Sequence, residues 1–381
     1  MAKGMYVGID GIAKKVKKMY VSPDGIARKV KKGYIGVGGV ARPFFTGGEL
    51  EYYGTATALS SARYDLAATT VGDYALFGGG RASSASDVSD VVDAYNLTLT
   101  RTVATSFSKN RHSLAATTVG NYAIFGYGRQ YFQEGDLGTC EVYNASLTKQ
   151  KVMDTYRKRY DLAATTVGDY ALFGGGYHDD ENGGELVASV YHINSSLTYN
   201  PADALSVGRR DLAATTVGNY AVFAGGTGGG ARGTADAYNN SLTKSTPTAL
   251  SSARYDLAAT TVGDYALFGG GRTTTSEGSE VIVDAYDTSL TMITIASLQA
   301  GRYDLVATTV GNFAIFAGGA STGMTAVVDL YDASLTRTTT TSLSVSRSKH
   351  AAATVGNYAL FGGGYNGGST YCDTVDVYTV A

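Results

Sequence analysis

Few residue types in this chain could do chemistry, and their spacing narrows the choice. There are four His, at 112, 178, 192 and 350, two Cys, at 140 and 372, and no Trp. Two Cys exclude a disulfide scaffold and a Cys-rich structural zinc site. The His are scattered without a paired motif, so no metal, cofactor or catalytic residue is assigned. Arg recurs instead: Arg63, Arg111, Arg159, Arg209, Arg254, Arg302 and Arg347 each stand nine residues before a Gly. Asp65, Asp161, Asp211, Asp256 and Asp304 follow five of them, and His112-Ser113 and Ser348-Lys349-His350 interrupt the pattern. Guanidinium and carboxylate at fixed spacing make charge-assisted hydrogen bonds. A feature present in every copy reads as a structural Arg ring rather than as one site. The candidate ligand-binding residues are the ones that do not recur: Arg129, Tyr131, Phe132, Tyr177, His178, Asp179, Asp180 and Tyr365. Aromatic rings stack on sugar faces, and carboxylates accept hydrogen bonds from sugar hydroxyls. Asp179-Asp180-Glu181 has oxygen donors for Ca²⁺, but a solvated acidic loop is the preferred reading.

The elements that position these residues come from a repeat. T-V-G-[DN]-[YF]-A occurs seven times, with its Gly at 72, 120, 168, 218, 263, 311 and 356. A Tyr follows 20 to 23 residues after each Gly, at 95, 143, 191, 238, 286, 331 and 378. Each copy reads as four strands, a to d. L-A-A-T-T-V is strand a, Gly-Asp or Gly-Asn a two-residue hairpin turn, and Y-A-L-F strand b. Strand c ends at the Tyr, and strand d carries Leu-Thr and the Thr-rich stretch after it. The 50 Gly among 381 residues serve turns and close backbone approaches. Four strands at a period near 47 are one propeller blade. The last copy stops after strand c, and residues 50–60 match the segment before later Arg residues. They should supply the missing strand and remove the open edges.

This pattern resembles the kelch repeat, over residues 47–381 and in seven copies. It rests on the four apolar residues before Gly78-Gly79, Gly174-Gly175, Gly225-Gly226 and Gly318-Gly319, the upstream Arg and the downstream Tyr. Leu147-Thr148 and Leu335-Thr336 stand where a kelch repeat usually closes on Trp, and Tyr127 replaces the second Gly of blade 2. A weaker anchor at the blade edge is implied. The resemblance implies an all-β, seven-bladed kelch-type β-propeller in which the Arg ties each blade to its neighbour. Kelch-fold copper oxidases need a Tyr/His cluster with a Cys near a Tyr. Sialidase boxes need Trp, so neither activity is expected.

Charge sets the start of the chain apart. The net charge is −2, but residues 1–46 carry +8 and the remainder −10. That arm holds three imperfect copies of 14 residues: MYVGIDGIAKKVKK, MYVSPDGIARKVKK and GYIGVGGVARPFFT. Asp10-Gly11 and Asp24-Gly25, flanked by β-formers, read as hairpin turns. The arm resembles short basic repeats at the start of phage and prophage structural proteins, which implies docking to virion proteins or to sister chains in a homo-oligomer. Charge alone would allow nucleic acid. Aromatics and Gly at fixed spacing favour defined strands over a loose basic tail. No apolar run reaches the roughly 18 residues of a membrane helix, and the first residues lack the core of a signal peptide.

The topology places the d–a and b–c loops on one face and the a–b and c–d turns on the other. The a–b turn is constant and the b–c loops vary, the arrangement of a binding surface. Residues 57–81 and 248–272 are the same 25-residue string, which fits loop exchange on a fixed frame. The expected function is a non-enzymatic virion component, made in the host cytoplasm, whose b–c loops bind a host-surface glycan or protein. The alternatives are a cytoplasmic kelch protein–protein scaffold and a sugar epimerase or mutarotase on the same fold.

Overall fold

Alternation in L-A-A-T-T-V puts Ala67, Thr69 and Val71 on a buried face and leaves Ala68 and Thr70 half-buried. That period of two is a strand covered on one side. In the computed structural model each repeat forms a four-stranded antiparallel sheet, and seven such sheets make a β-propeller. Residues 49–82, 87–130, 135–155, 157–179, 183–273, 278–368 and 370–380 are described, with the backbone of six short strands between residues 6 and 45. The chain falls into two compact units, Met1–Glu51 with Thr379–Ala381, and Tyr52–Tyr378.

In blade 1, strands a to d are Ala67–Val71, Tyr74–Gly78, Val92–Asn96 and Arg101–Val103, in that spatial order. Gly72 opens the a–b turn at φ +54°, the left-handed first position of a type II′ hairpin. Blade 7 takes its outer strand, Leu50–Ala56, from ahead of blade 1, beside Val375–Val380. The Tyr52 hydroxyl donates to Asp376 Oδ1 at 2.7 Å across this pairing. The expected closure is therefore present.

Strand a lines the axis, and its Thr pair stitches the blades together. Thr118 Oγ1 donates to Thr70 O of the previous blade at 2.6 Å, and Thr70 Oγ1 donates to Thr354 O at 2.7 Å. Thr166, Thr216, Thr261, Thr309 and Thr354 repeat the bond, which closes a seven-membered ring. In six seams the preceding Thr adds a hydroxyl–hydroxyl bond, as between Thr69 and Thr118 at 2.9 Å. Blade 7 has Ala353 at that position.

The core lies between blades. Leu76, Val92 and Ala94 of blade 1 pack with Ala123, Phe125 and Tyr143 of blade 2. In five blades the recurrent Tyr joins strand c to the segment entering its own blade, as where Tyr95 donates to Thr57 O at 2.7 Å and Tyr286 to Thr248 O at 2.6 Å. The S-L-T signature is an Asx turn. Asn96 Oδ1 accepts from Thr98 N at 3.0 Å and Thr100 N at 2.9 Å, while Leu99 sits at φ +60°. A left-handed Leu costs about 1–2 kcal/mol. Packing Leu99, Leu147, Leu197, Leu242, Leu290 and Leu335 against the inter-blade clusters offsets that cost. Leu thus plugs the seam from the turn itself.

In the arm, Tyr6–Ile9 pairs antiparallel with Ile12–Lys15, Met19–Val21 with Arg28–Val30, and Gly33–Val37 with Val40–Phe45. Asp10, Gly11, Asp24 and Gly25, the expected turn residues, lie outside the described residues.

Candidate functional site

The seven recurrent Arg side chains are fully buried. Six are ion-paired inside their own blade: Arg63 with Asp93 at 2.7 Å, Arg111 with Glu141 at 2.6 Å, Arg209 with Asp236 at 2.9 Å, Arg254 with Asp284 at 3.0 Å, Arg302 with Asp329 at 2.7 Å and Arg347 with Asp376 at 2.7 Å. The carboxylates belong to strand c, about 30 residues on, and not to the Asp two residues after each Arg. The inter-blade tie runs through the Arg carbonyl. Gly80 N donates to Arg111 O at 2.8 Å, and Gly364 N closes the circle on Arg63 O at 2.8 Å. A Cβ on Gly79 would lie 2.5 Å from Arg111 O, so the Gly run is required by close approach.

Blade 3 departs from this scheme. Tyr191 occupies the carboxylate position, and Arg159 is held by Tyr127 from blade 2. Arg159 Nη2 donates to Tyr127 OH at 3.0 Å, and the guanidinium lies 4.3 Å from the Tyr127 ring centroid and 5.3 Å from that of Tyr191. Two aromatic faces replace one carboxylate. The sequence reading expected Tyr127 to weaken its blade edge, but the ring is fully buried in the seam.

The residues two positions after the Arg form the mouth of the axis. Asp65, Ser113, Asp161, Asp211, Asp256, Asp304 and Lys349 all have φ between 52° and 55°. Asp tolerates this conformation better than most residues. Each N–H donates to the carbonyl of the preceding blade's counterpart at 3.0–3.1 Å, from Asp65 N to Lys349 O round to Lys349 N to Asp304 O. The ring surrounds a cavity of about 290 Å³. Lys349 Nζ reaches Asp65 Oδ1 at 3.5 Å, Arg272 Nη2 reaches Asp256 Oδ2 at 2.8 Å, and Arg210 lies 3.8 Å from Asp161 and 3.5 Å from Asp211. Five carboxylates facing these three cations are hard to ionise together. Burial and then neighbouring carboxylates push Asp211 up to about 8, Asp304 to about 7 and Asp161 to about 6. Burial also raises Asp256, and Asp65 foremost raises Lys349.

A belt of Tyr and Arg surrounds the mouth. It is built where the residue after each framework Arg bridges to the residue after each Gly run, as in Tyr64 with Arg81, His112 with Arg129, Tyr160 with Tyr177 and Tyr255 with Arg272. These bridges put the d–a and b–c loops on one face, as the topology required. Arg129 lies 4.8 Å from the Tyr160 ring, Arg210 4.9 Å from Tyr177, and Arg272 sits between Tyr255 and Tyr303 at 4.7 and 4.6 Å.

Three of the candidate binding residues meet at the seam of blades 2 and 3. Arg129 Nη2 contacts Asp179 Oδ2 at 2.8 Å, and its Nε is 3.6 Å from Asp136 Oδ1. His178 Nδ1 is 3.3 Å from Asp136 Oδ2, which also accepts Asp179 N at 2.7 Å. Tyr160 OH donates to Asp179 Oδ2 at 3.2 Å. Burial raises Asp136. Tyr177 stands edge-on to Tyr160 at 5.8 Å. Tyr177 and His178 form a short hairpin with Glu185 and Leu186. Tyr365 is elsewhere, at the seam of blades 7 and 1, with ring centroids 5.9 Å from Tyr64 and 5.7 Å from Tyr371. Tyr131, Phe132 and Asp180 lie outside the described residues. Among the described residues no three His, Cys, Asp or Glu side chains are grouped to hold a metal ion. Cys140 and Cys372 are buried free thiols.

Sequence reasoning missed Asp136, Tyr160, Arg210, Arg272 and Arg81 as members of this face. Their signal was positional: most flank a framework Arg or directly follow a Gly run. Compared with known protein families and with curated proteins, the chain matches none.

Proposed function

We propose that this kelch-like propeller is a non-enzymatic binding protein of a phage or prophage particle. The loop face takes a saccharide of the host surface, and the basic arm docks to the particle or to sister chains. The observation that carries the reading is the asymmetry of the disc. One face repeats the same Gly-Asp or Gly-Asn turn seven times. The other bears loops of varied length over a belt of Tyr and Arg around a polar cavity. Rings beside hydrogen-bonding carboxylates and guanidinium groups suit a polyhydroxylated ligand. The test is binding of the full chain to host cells and to immobilised host-surface polysaccharide. Tyr177→Ala and Arg129→Gln should each weaken binding by about 1–3 kcal/mol. Substituting Ala at Asp73, Asn121 and Asp169 in the a–b turns should leave it intact. Loss of binding through the turns alone would move the functional face to the other side.

A further inference from the structure

Two copies of one sequence keep different partners here. Residues 57–81 and 248–272 are identical, so Arg81 and Arg272 begin with the same local instructions. In blade 5 the Arg272 guanidinium holds the carboxylate of Asp256 at 2.8 Å, between the rings of Tyr255 and Tyr303. In blade 1 the counterpart carboxylate, Asp65, faces Lys349 of blade 7 at 3.5 Å. Arg81 keeps the ring contact, 5.6 Å from Tyr64, but among the described residues no carboxylate pairs with it. The interruptions of the repeat cause the difference. Lys349 and Ser113 stand on either side of Asp65 in the mouth ring, and His112 replaces the second flanking Tyr. Burial foremost, and then the cations Arg81, Arg129 and Lys349, keep His112 neutral. The mouth is thus polarised, with four contiguous carboxylates across blades 3 to 6 and, at blade 1, a guanidinium that no carboxylate among the described residues pairs.

Beside Arg81 stands an aromatic platform. Tyr64 stacks on Tyr371 at 5.2 Å and 16°, and Tyr365 is tilted against both. We propose that Arg81, with the cluster of Tyr64, Tyr365 and Tyr371, is an anion subsite of the loop face that binds the carboxylate of an acidic sugar residue. The blade 5 copy is the template: it shows this guanidinium, in this sequence context, holding a planar carboxylate against tyrosine. The sugar ring then lies on the neighbouring tyrosines. This rests on the reading that the loop face binds saccharides and adds the charge class of the ligand.

The test uses the full chain on an array of immobilised oligosaccharides with uronic-acid residues, with sulfated or phosphorylated residues, or with neutral residues only. Binding to the uronic-acid group is expected. Arg81→Gln should weaken it at least about tenfold, the scale of a lost charge-assisted pair. Arg272→Gln, in identical local sequence but with its guanidinium already held by Asp256, should weaken it by a clearly smaller factor. Lys349→Met leaves Asp65 to close on Arg81 as Asp256 does on Arg272, so it should weaken binding without touching the guanidinium. Retention of binding by Arg81→Gln, an equal loss with Arg272→Gln, or equal binding of sulfated or phosphorylated saccharides would overturn the carboxylate subsite. Binding confined to neutral saccharides would overturn it too, while leaving the saccharide reading standing. Binding to no saccharide would remove both.

Discussion

Deleting the carboxylate of Asp284 isolates what the buried ion pairs contribute. Asp284 Oδ2 sits 3.0 Å from Arg254 Nη2, and both side chains are fully buried. The same carboxylate accepts Ser251 N at 3.0 Å, Ser251 Oγ at 2.7 Å and Thr294 Oγ1 at 2.8 Å. Asp284→Ala leaves Arg254 with only the carbonyls of Ser252 and Phe268, at 3.0 and 3.1 Å. Stranding a buried charge costs about 3–5 kcal/mol. The propeller unit spans residues 52–378. At about 2.1 cal/mol/K per residue its unfolding entropy is roughly 0.7 kcal/mol/K, so the midpoint should fall by about 4–7 °C. Arg254→Met with Asp284→Leu removes both charges, strands neither, and should return to within about 1–2 °C of the unchanged chain. The assay is a calorimetric melt of the three proteins. A midpoint for Asp284→Ala within 1 °C of the parent would refute the argument that these pairs hold the blades, as would a double variant no better than the single one.

The remaining predictions concern pH, closure and the arm. Asp211 and Asp304 hold protons up to about 8 and about 7 in the folded state, well above the roughly 4 of an unfolded Asp. The folded chain therefore binds more protons through that window, and stability is greatest below it and falls as pH rises. Buried His112 and His350 pull the other way, but only below about 6.5, where an unfolded His takes up its proton. The melting midpoint should thus drop between about pH 6.5 and 8 and level off above that, and Asp211→Asn should flatten the drop; a rising midpoint contradicts the proton-holding mouth. Deleting residues 48–60 removes the outer strand of blade 7 and should lower the midpoint of the whole unit, so an unchanged melt contradicts closure. Deleting residues 1–46 should leave a soluble, folded propeller that no longer assembles, and loss of β-structure by circular dichroism would place the arm in the core.

The blades were legible because their signals repeat. Seven copies of a Gly hairpin turn, a buried alternation and a closing Tyr admit few arrangements, and the missing strand of blade 7 could be matched to residues 50–60. The Arg positions were legible as a set, but their partners were not. The nearby Asp looked like the counter-charge, yet a φ near +54° aims it into the mouth. The true partner, as with Arg63 and Asp93, arrives on strand c through the sheet. Tyr191 was read as the recurrent Tyr of strand c, but the register puts Ile193 in that place and Tyr191 where the other blades carry the carboxylate, and the compensation by Tyr127 depends on which blades are neighbours. Arg129, His178 and Asp179 meet because blades 2 and 3 are consecutive, whereas Tyr365 belongs to another seam. The mouth ring takes one residue from each blade, so its interruptions could be read in sequence while their meeting around Asp65 could not.

The claim that the varied loops form the binding face is tested most directly by hydrogen–deuterium exchange of the full chain with and without host-surface polysaccharide. Slowed exchange is expected in peptides covering Tyr64, Arg81, Arg129, Tyr177 and Tyr365, with none at Asp73, Asn121, Asp169 or the other a–b turns. Protection centred on those turns, with the loop peptides unchanged, would contradict the account.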